Sequence, residues 1–493
     1  MTPELLWSLG RVSLQDVSAD GQYVLYGVTY YDIAANKGNA DLYLLNTRNN
    51  KVQQLTDTPK SEHSASFTPA GKIAYITGGE LWQMDTNGKN AKQVLAHCNE
   101  SPTLRCPLQV NGYKYAPDGK GLLYIQDVKH DQTVQDLYAD LPKADARIID
   151  DLMYRHWDSW HDYAYSNIFY LELKDGKPIG NTLNIMDEPY DSPLTPFGGM
   201  EQINWSPDGK AIAYTCKKLS GKDYAVSTNS EIYLYDIESK STKNLSTPNP
   251  GYDVEPAFSP DGRYIAWNSM ATPGFEADRN RILLYDRNTG DTRELTAGID
   301  ASCDHPSWSP DSKKLYYSST RAAVNHLYEM ALDQPGKERQ LTKGQYNYYS
   351  FIPGKNAVVA GRASMSAPMD LYSIDLQSLA VTRLTDINKG LLAEVGMGKV
   401  EQRMMPTTDG KEMLVWMIYP PDFDPNKKYP TLLYCQGGPQ SAVSQFWSYR
   451  WNFQMMAAND YIIVAPNRRG LPGFGQEWND EISGDWGGQA MQD

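Results

Sequence analysis

Ser206–Tyr214 reads SPDGKAIAY, a tight turn running into an alternating strand. The phrase returns as SADGQYVLY (Ser18–Tyr26), APDGKGLLY (Ala116–Tyr124), SPDGRYIAW (Ser259–Trp267) and SPDSKKLYY (Ser309–Tyr317). Proline presets φ at the first turn position, aspartate bonds back to the local backbone, and glycine accepts positive φ. Beyond the glycine (or Ser312) come the pairs Val24/Tyr26, Leu122/Tyr124, Ile212/Tyr214, Ile265/Trp267 and Leu315/Tyr317. Their period of two predicts a half-buried strand with one apolar face. Degenerate copies, TPAGKIAY from Thr68 and IPGKNAVV from Ile352, complete the series.

A second strand follows each copy: DLYLLN from Asp41, ELWQMD from Glu80, NIFYLE from Asn167, EIYLYD from Glu231, RILLYD from Arg281, HLYEMA from His326 and DLYSID from Asp370. Most units close on a short strand ending in Leu-Thr, as in RELT (Arg293–Thr296) and TRLT (Thr382–Thr385). Short strands repeating every ~40–50 residues are the mark of a β-propeller, and seven copies predict seven blades. A β-sandwich does not predict a fixed period. The propeller is placed at 10–390, after an N-terminal helix at 1–9 that Thr2 caps and Pro3 opens. The step from Ala116 to Ser206 is too long for one unit, which predicts an insertion around 131–165 in blade three.

After about Asn388 the repeat stops. KVEQRMMPTTDGKEMLVWMIYPP (Lys399–Pro421) reads as two strands joined at Thr408-Asp409-Gly410. YPTLLYC (Tyr429–Cys435) and DYIIVAPN (Asp460–Asn467) read as buried sheet strands, and Ser441–Asn459 between them has helical length and composition. Strand, Gly-rich loop, helix, strand is the start of an α/β sheet, placed at 391–493. In such sheets ligands bind outside the carboxyl ends of strands.

The chain of 493 residues is acidic, with 46 Lys+Arg against 60 Asp+Glu. Without basic runs it is a poor partner for nucleic acid or anionic membrane. No apolar stretch approaches the roughly 18 residues of a spanning helix. The start lacks the charged-then-apolar pattern of a signal peptide. Cys216 and Cys435 sit in strand-like runs and read as small buried hydrophobes. Cys98 and Cys106 bracket a short loop, and a local disulfide and two free thiols both stay open. No spacing suggests a metal site, and no cofactor is expected.

QGGPQ (Gln436–Gln440) carries the chemistry. Two glycines directly after an apolar strand let backbone N–H groups approach a ligand. In an α/β hydrolase such a loop supplies part of an oxyanion hole. The bland alternative is a plain strand-to-helix turn.

With these motifs in place, the chain resembles the prolyl oligopeptidase family of serine peptidases. The resemblance rests on YPPDFDPNKKYPTLLYCQGGPQ (Tyr419–Gln440), VAPNRRGLPGFGQEWNDEISGDWGGQAMQD (Val464–Asp493) and LMYRHWDSW (Leu152–Trp160), and runs over nearly the whole chain. It implies an all-β seven-bladed propeller followed by the N-terminal part of an α/β hydrolase domain. It also implies release of dipeptides from short peptides with a free N-terminus. In some members a tyrosine after this strand donates to the oxyanion. Gln436 stands at that place here, so the implied donor is a backbone N–H group, that of Gly437 or Gly438. The resemblance further implies acidic propeller groups around the substrate amine, because a buried ammonium needs carboxylate partners. MDEPYDSPL (Met186–Leu194) offers Glu188 and Asp191, with Asp150, Asp151 and Asp158 as rivals. A solvated acidic loop is the bland reading of either set.

The family's Ser, Asp and His triad is absent: the chain has no G-x-S-x-G, and its last histidine is His326, inside a blade. A serine hydroxyl cannot attack an amide without a base. The expectation is a fragment of a longer peptidase, inactive alone and with an unpaired sheet edge in its hydrolase part. Two rival readings are a catalytically dead propeller binding module and an acylaminoacyl-type peptidase. The resemblance implies a periplasmic or secreted location, with cytoplasmic as the alternative, and a homodimer stays open.

Overall fold

The computed structural model describes residues 1–95, 109–438 and 440–493; Cys98 and Cys106 lie outside the described residues. Among the described residues, seven four-stranded antiparallel units follow one another, the first built from Arg11–Val17, Tyr23–Asp32, Lys37–Asn46 and Lys51–Gln54. The seventh comprises Asn347–Pro353, Ala357–Ser364, Ala367–Asp375 and Val381–Arg383. It touches the sixth sheet through one parallel pairing, Asn325 with Asn347.

The repeated turn precedes the second strand of each blade, and its serine organises it. The Ser206 hydroxyl donates to Asp208 at 2.6 Å and accepts the Ala211 N–H at 2.8 Å, while Gly209 N–H bonds the Ser206 carbonyl at 2.9 Å. Ser18, Ser259 and Ser309 repeat the hydroxyl-to-aspartate bond. Gly209 and Gly262 sit at φ +68° and +74°, and Ser312, where glycine is replaced, keeps φ +60°.

The second strands are not half-buried. Every member of the five pairs is 2% exposed or less, and the residues between them, Leu25, Leu123, Ala213, Ala266 and Tyr316, are buried too. A blade is covered on both faces by its neighbours. Leu122 and Tyr124 pack on Ala74 and Ile76 of blade two, while Leu123 and Ile125 pack on Ile212 and Tyr214 of blade four. Each such Leu or Ile contributes about 1.5–3 kcal/mol by burial.

Blade seven meets blade one without sharing a strand. Val359 and Leu371 pack on Val12, Val24 and Tyr26. The Asn388 side chain then imitates a strand partner: its Oδ1 accepts the Gly10 N–H and its Nδ2 donates to the Gly10 carbonyl, both at 2.8 Å. The helix Pro3–Ser8, capped by the Thr2 hydroxyl, precedes this junction.

The chain divides into two compact units, Met1–Ser66 with Thr296–Asp493, and Phe67–Leu295. The first holds blades one, six and seven and the hydrolase part. There, Val400–Pro406 and Glu412–Ile418 form a hairpin, and Glu412–Ile418 runs antiparallel to Ile462–Pro466, which pairs in parallel with Thr431–Leu433. Leu414, Trp416, Ile418, Ile463 and Ala465 form its core with Val443, Phe453 and Ala457.

Two expectations fail here for identifiable reasons. Thr431–Leu433 is not buried: it is an outer strand with one neighbour, and Leu433 is 63% exposed. The helix within Ser441–Asn459 shrinks to Phe453–Ala457, capped by the Asn452 side chain. Polar groups upstream bond elsewhere instead of supporting a helix: Ser444 accepts from Asn347 at 2.8 Å and Gln445 accepts the Met365 N–H at 3.1 Å. Such side chains compete with helical backbone bonding.

Candidate active-site loop and substrate-amine residues

The Gly-Gly loop leaves the carboxyl end of Thr431–Leu433 and is fixed at three points. The Arg468 guanidinium donates to the Gln436 carbonyl at 3.0 Å. The Gln440 side-chain amide donates to the Asn479 carbonyl at 2.9 Å. The Asn467 amide accepts the Val443 N–H at 2.9 Å and donates to the Val443 carbonyl at 3.1 Å. Asn467 and Val443 are fully buried, so this third clamp is shielded from competing water.

Between the clamps, Gly437 and Gly438 are exposed, and among the described residues neither N–H has a hydrogen-bond partner. Gly438 adopts φ +139°, which favours glycine. Gly437 has no such φ, and a Cβ added there would meet nothing within 4 Å. Neither backbone strain nor protein packing accounts for a glycine at 437. Two adjacent unpartnered donors on a loop held at both ends can stabilise a developing oxyanion without reorganising.

Glu188 and Asp191 belong to the other compact unit. Their segment hangs on the strand Ala164–Lys174: the Asn167 amide donates to the Glu188 and Tyr190 carbonyls, each at 3.3 Å, and Asp191 accepts the Ser166 N–H at 2.8 Å. Burial pushes the Asp191 carboxyl up to about 6, against the lowering pull of that N–H. Glu188 already has a cation: Lys218 Nζ lies 2.5 Å from its carboxylate. Ser166, whose N–H bonds Asp191, lines a cavity of about 160 Å³ together with Asn111, Leu194 and Thr195. The rivals Asp150, Asp151 and Asp158 are exposed.

The segment between Lys129 and Ala164 holds a one-turn helix, Val134–Leu137, and a two-residue hairpin pairing Arg155–His156 with Ser159–Trp160. Trp157 sits at its tip at φ +49° and meets Phe197 edge-on at 5.2 Å. Its neighbour His161 bonds Asp131 at 2.9 Å, and the Tyr165 hydroxyl donates to the same carboxylate at 2.8 Å.

Sequence reasoning missed Lys218, Arg468 and Asn467. Arg468 and Asn467 were legible only as part of PNRRG; nothing marked Lys218. Cys435, expected buried, is exposed beside the loop, whereas Cys216 is buried. Among the described residues no group of His, Cys, Asp and Glu could hold a metal ion, and no helix is long and apolar enough to cross a membrane.

Comparison with known proteins matches these parts. The family described as TolB beta propeller domain matches residues 202–391, and the one described as Prolyl oligopeptidase family matches 447–493. Dipeptidyl-peptidase 5 of Porphyromonas gingivalis is 42% identical over 497 residues, covering 100% of this chain and 71% of that protein. Dipeptidyl-peptidase 5 of Porphyromonas endodontalis is 42% identical over 499 residues, covering 100% of this chain and 70% of that protein. Among solved structures, Pyrococcus horikoshii acylaminoacyl peptidase superposes with a TM-score of 0.78 at 17% identity, covering 100% of this chain and 70% of that one. At that identity the likeness concerns the fold: a propeller joined to a hydrolase.

Proposed function

This chain belongs to the prolyl oligopeptidase family, and from that premise we propose that it is the propeller and oxyanion-loop portion of a serine peptidase releasing dipeptides from free peptide N-termini. The carrying observation is the pair of unpartnered donors at Gly437 and Gly438, on a loop clamped at both ends, in a chain 42% identical throughout to a dipeptidyl-peptidase. Attack on a peptide carbonyl places negative charge on its oxygen, and these N–H groups meet it. The second donor set, the nucleophile and its base are not among these residues.

Under the same proposal Glu188 and Asp191 hold the substrate's α-ammonium. Lys218 then has to share Glu188 with the incoming amine, so affinity depends on the difference between two ammonium partners. Export to the periplasm or outside the cell belongs to this proposal too, and cell fractionation tests it.

The test is hydrolysis of dipeptidyl reporters by the full-length enzyme. Free-amine reporters should be cleaved and N-acylated ones refused; preference for the acylated form overturns the reading in favour of an acylaminoacyl-type activity. The double variant Glu188→Gln/Asp191→Asn should lower kcat/KM on free-amine reporters about 100-fold, mostly through KM. Unchanged kcat/KM removes both residues from the site.

A further inference from the structure

Asn479, whose carbonyl receives the Gln440 peg, lies in the short helix Gln476–Asp480. That helix is tied back to the strand end: Gly470 N–H donates to the Trp478 carbonyl at 2.7 Å, and Trp478 Nε1 donates to the Arg468 carbonyl at 3.1 Å. Arg468 is also the residue that clamps the Gln436 carbonyl. Helix and Gly-Gly loop therefore form one hydrogen-bonded frame.

The propeller grips this frame from outside. Asp300, in the connection between blades five and six, accepts the Gln476 N–H at 2.9 Å at the first turn of the helix. Ala322, at the tip of the blade-six hairpin, donates its N–H to the Gly473 carbonyl at 2.8 Å. Its neighbour Ala323 is fully buried in the hydrolase core with Leu414 and Trp416. Both alanines sit in the left-handed region, at φ +47° and +59°, a conformation unfavourable for an L side chain. The glycines of the gripped segment have matching reasons. Gly473 and Gly475 sit at φ +98° and +91°; an added Cβ would lie 3.0 Å from the Thr320 carbonyl oxygen and 2.9 Å from the Asp300 carboxylate.

We propose that Gln440 is a positioning residue for the oxyanion loop, and that Asp300 extends that positioning to the propeller through the helix Gln476–Asp480. The inference rests on the peptidase reading above. Loop geometry is where such a peg matters, because a misplacement of about 1 Å at a reacting group costs roughly 100-fold in rate. Glutamine serves because it offers an N–H to a carbonyl; glutamate of the same size presents only acceptors.

The experiment uses the full-length enzyme. Gln440→Glu should lower kcat about 10- to 100-fold and leave KM within about twofold. It should weaken a peptide aldehyde inhibitor by the same factor, because the aldehyde adduct places its oxygen against the loop donors. Asp300→Ala should show the same kcat-selective pattern at smaller size, and Asp300→Asn, which keeps the accepting oxygen, should restore activity. Packing alone would move melting temperature without separating kcat from KM. Unchanged kcat in Gln440→Glu, or a change confined to KM, overturns the peg. If Gln440→Glu fails to melt cooperatively, Asp300→Ala decides, since Asp300 is exposed; unchanged kcat there overturns the proposal. The reading beneath it fails differently, on the wild-type enzyme, by no cleavage of dipeptidyl reporters.

Discussion

Asp191 sits where a carboxylate is least comfortable, half-buried, and its pKa rises to about 6 for that reason. In an unfolded chain an aspartate titrates near 3.9. Between those values the folded state holds a proton the unfolded state has lost. Stability therefore falls as pH rises through that window, and Asp191→Asn should flatten the slope. Under the proposed amine role, binding should respond with the opposite sign: below about pH 6 the folded carboxyl is neutral and cannot attract an ammonium. A peptide α-amine stays charged throughout, since its pKa is about 8. KM for free-amine reporters should rise as pH drops below 6 while the wild-type kcat is followed separately. A flat KM across pH 5–7 would remove Asp191 from amine binding.

Among elements, the turn at Thr408–Gly410, the helix Gln476–Asp480 and the helix Gln489–Gln492 meet at one arginine. Arg469 is 5% exposed and bonds Asp409 at 2.8 Å, Glu481 at 2.9 Å and Asp493 at 2.7 Å. Asp409 is held well below the usual carboxylate range, first by Arg469 and then by the Thr407 hydroxyl. Three carboxylates around one cation tolerate its loss poorly: Arg469→Met should cost about 3 kcal/mol, the range for breaking a buried pair. Arg469→Lys should recover only part, because one ammonium cannot reach three carboxylates with the fork of a guanidinium. Denaturant midpoints of the variants check both statements. The outer strand Thr431–Leu433 and the shortened helix Phe453–Ala457 show why element prediction faltered in this region. An apolar run does not reveal whether a neighbour covers it, and Ser444, Gln445 and Ser448 spend their hydrogen bonds on contacts that helical propensity ignores.

At the scale of the molecule, a seven-bladed array must join its last blade to its first. Many repeats could do this by sharing a strand; here side-chain packing and the Asn388–Gly10 pair do it. Both Asn388 bonds are buried, so Asn388→Ala removes two bonds and leaves both Gly10 groups unpaired, costing about 2–3 kcal/mol. Asn388→Asp should be no better, since a carboxylate cannot donate to the Gly10 carbonyl. Chemical denaturation measures the loss, and a wild-type midpoint in Asn388→Ala would assign closure to packing alone. Gly10 itself admits no side chain, because a Cβ there would meet Ile387 and Tyr30 at 2.9 Å.

Blade number and order were readable from the chain because the turn Ser-x-Asp-Gly is local: serine, aspartate and glycine bond within five residues, and the strand pattern follows at once. The Gly-Gly loop was readable for the same reason, as two small residues after an apolar run. Whether a strand had one covered face or two was not, since that depends on the blades either side. Nor was the frame around the loop. Gln440 meets Asn479 across 39 residues and Asp300 meets Gln476 across 176, each through a bond between one side chain and one backbone atom. Such a bond constrains a single residue at one end and none at the other, so it leaves no pattern in a sequence and exists only once the chain has folded.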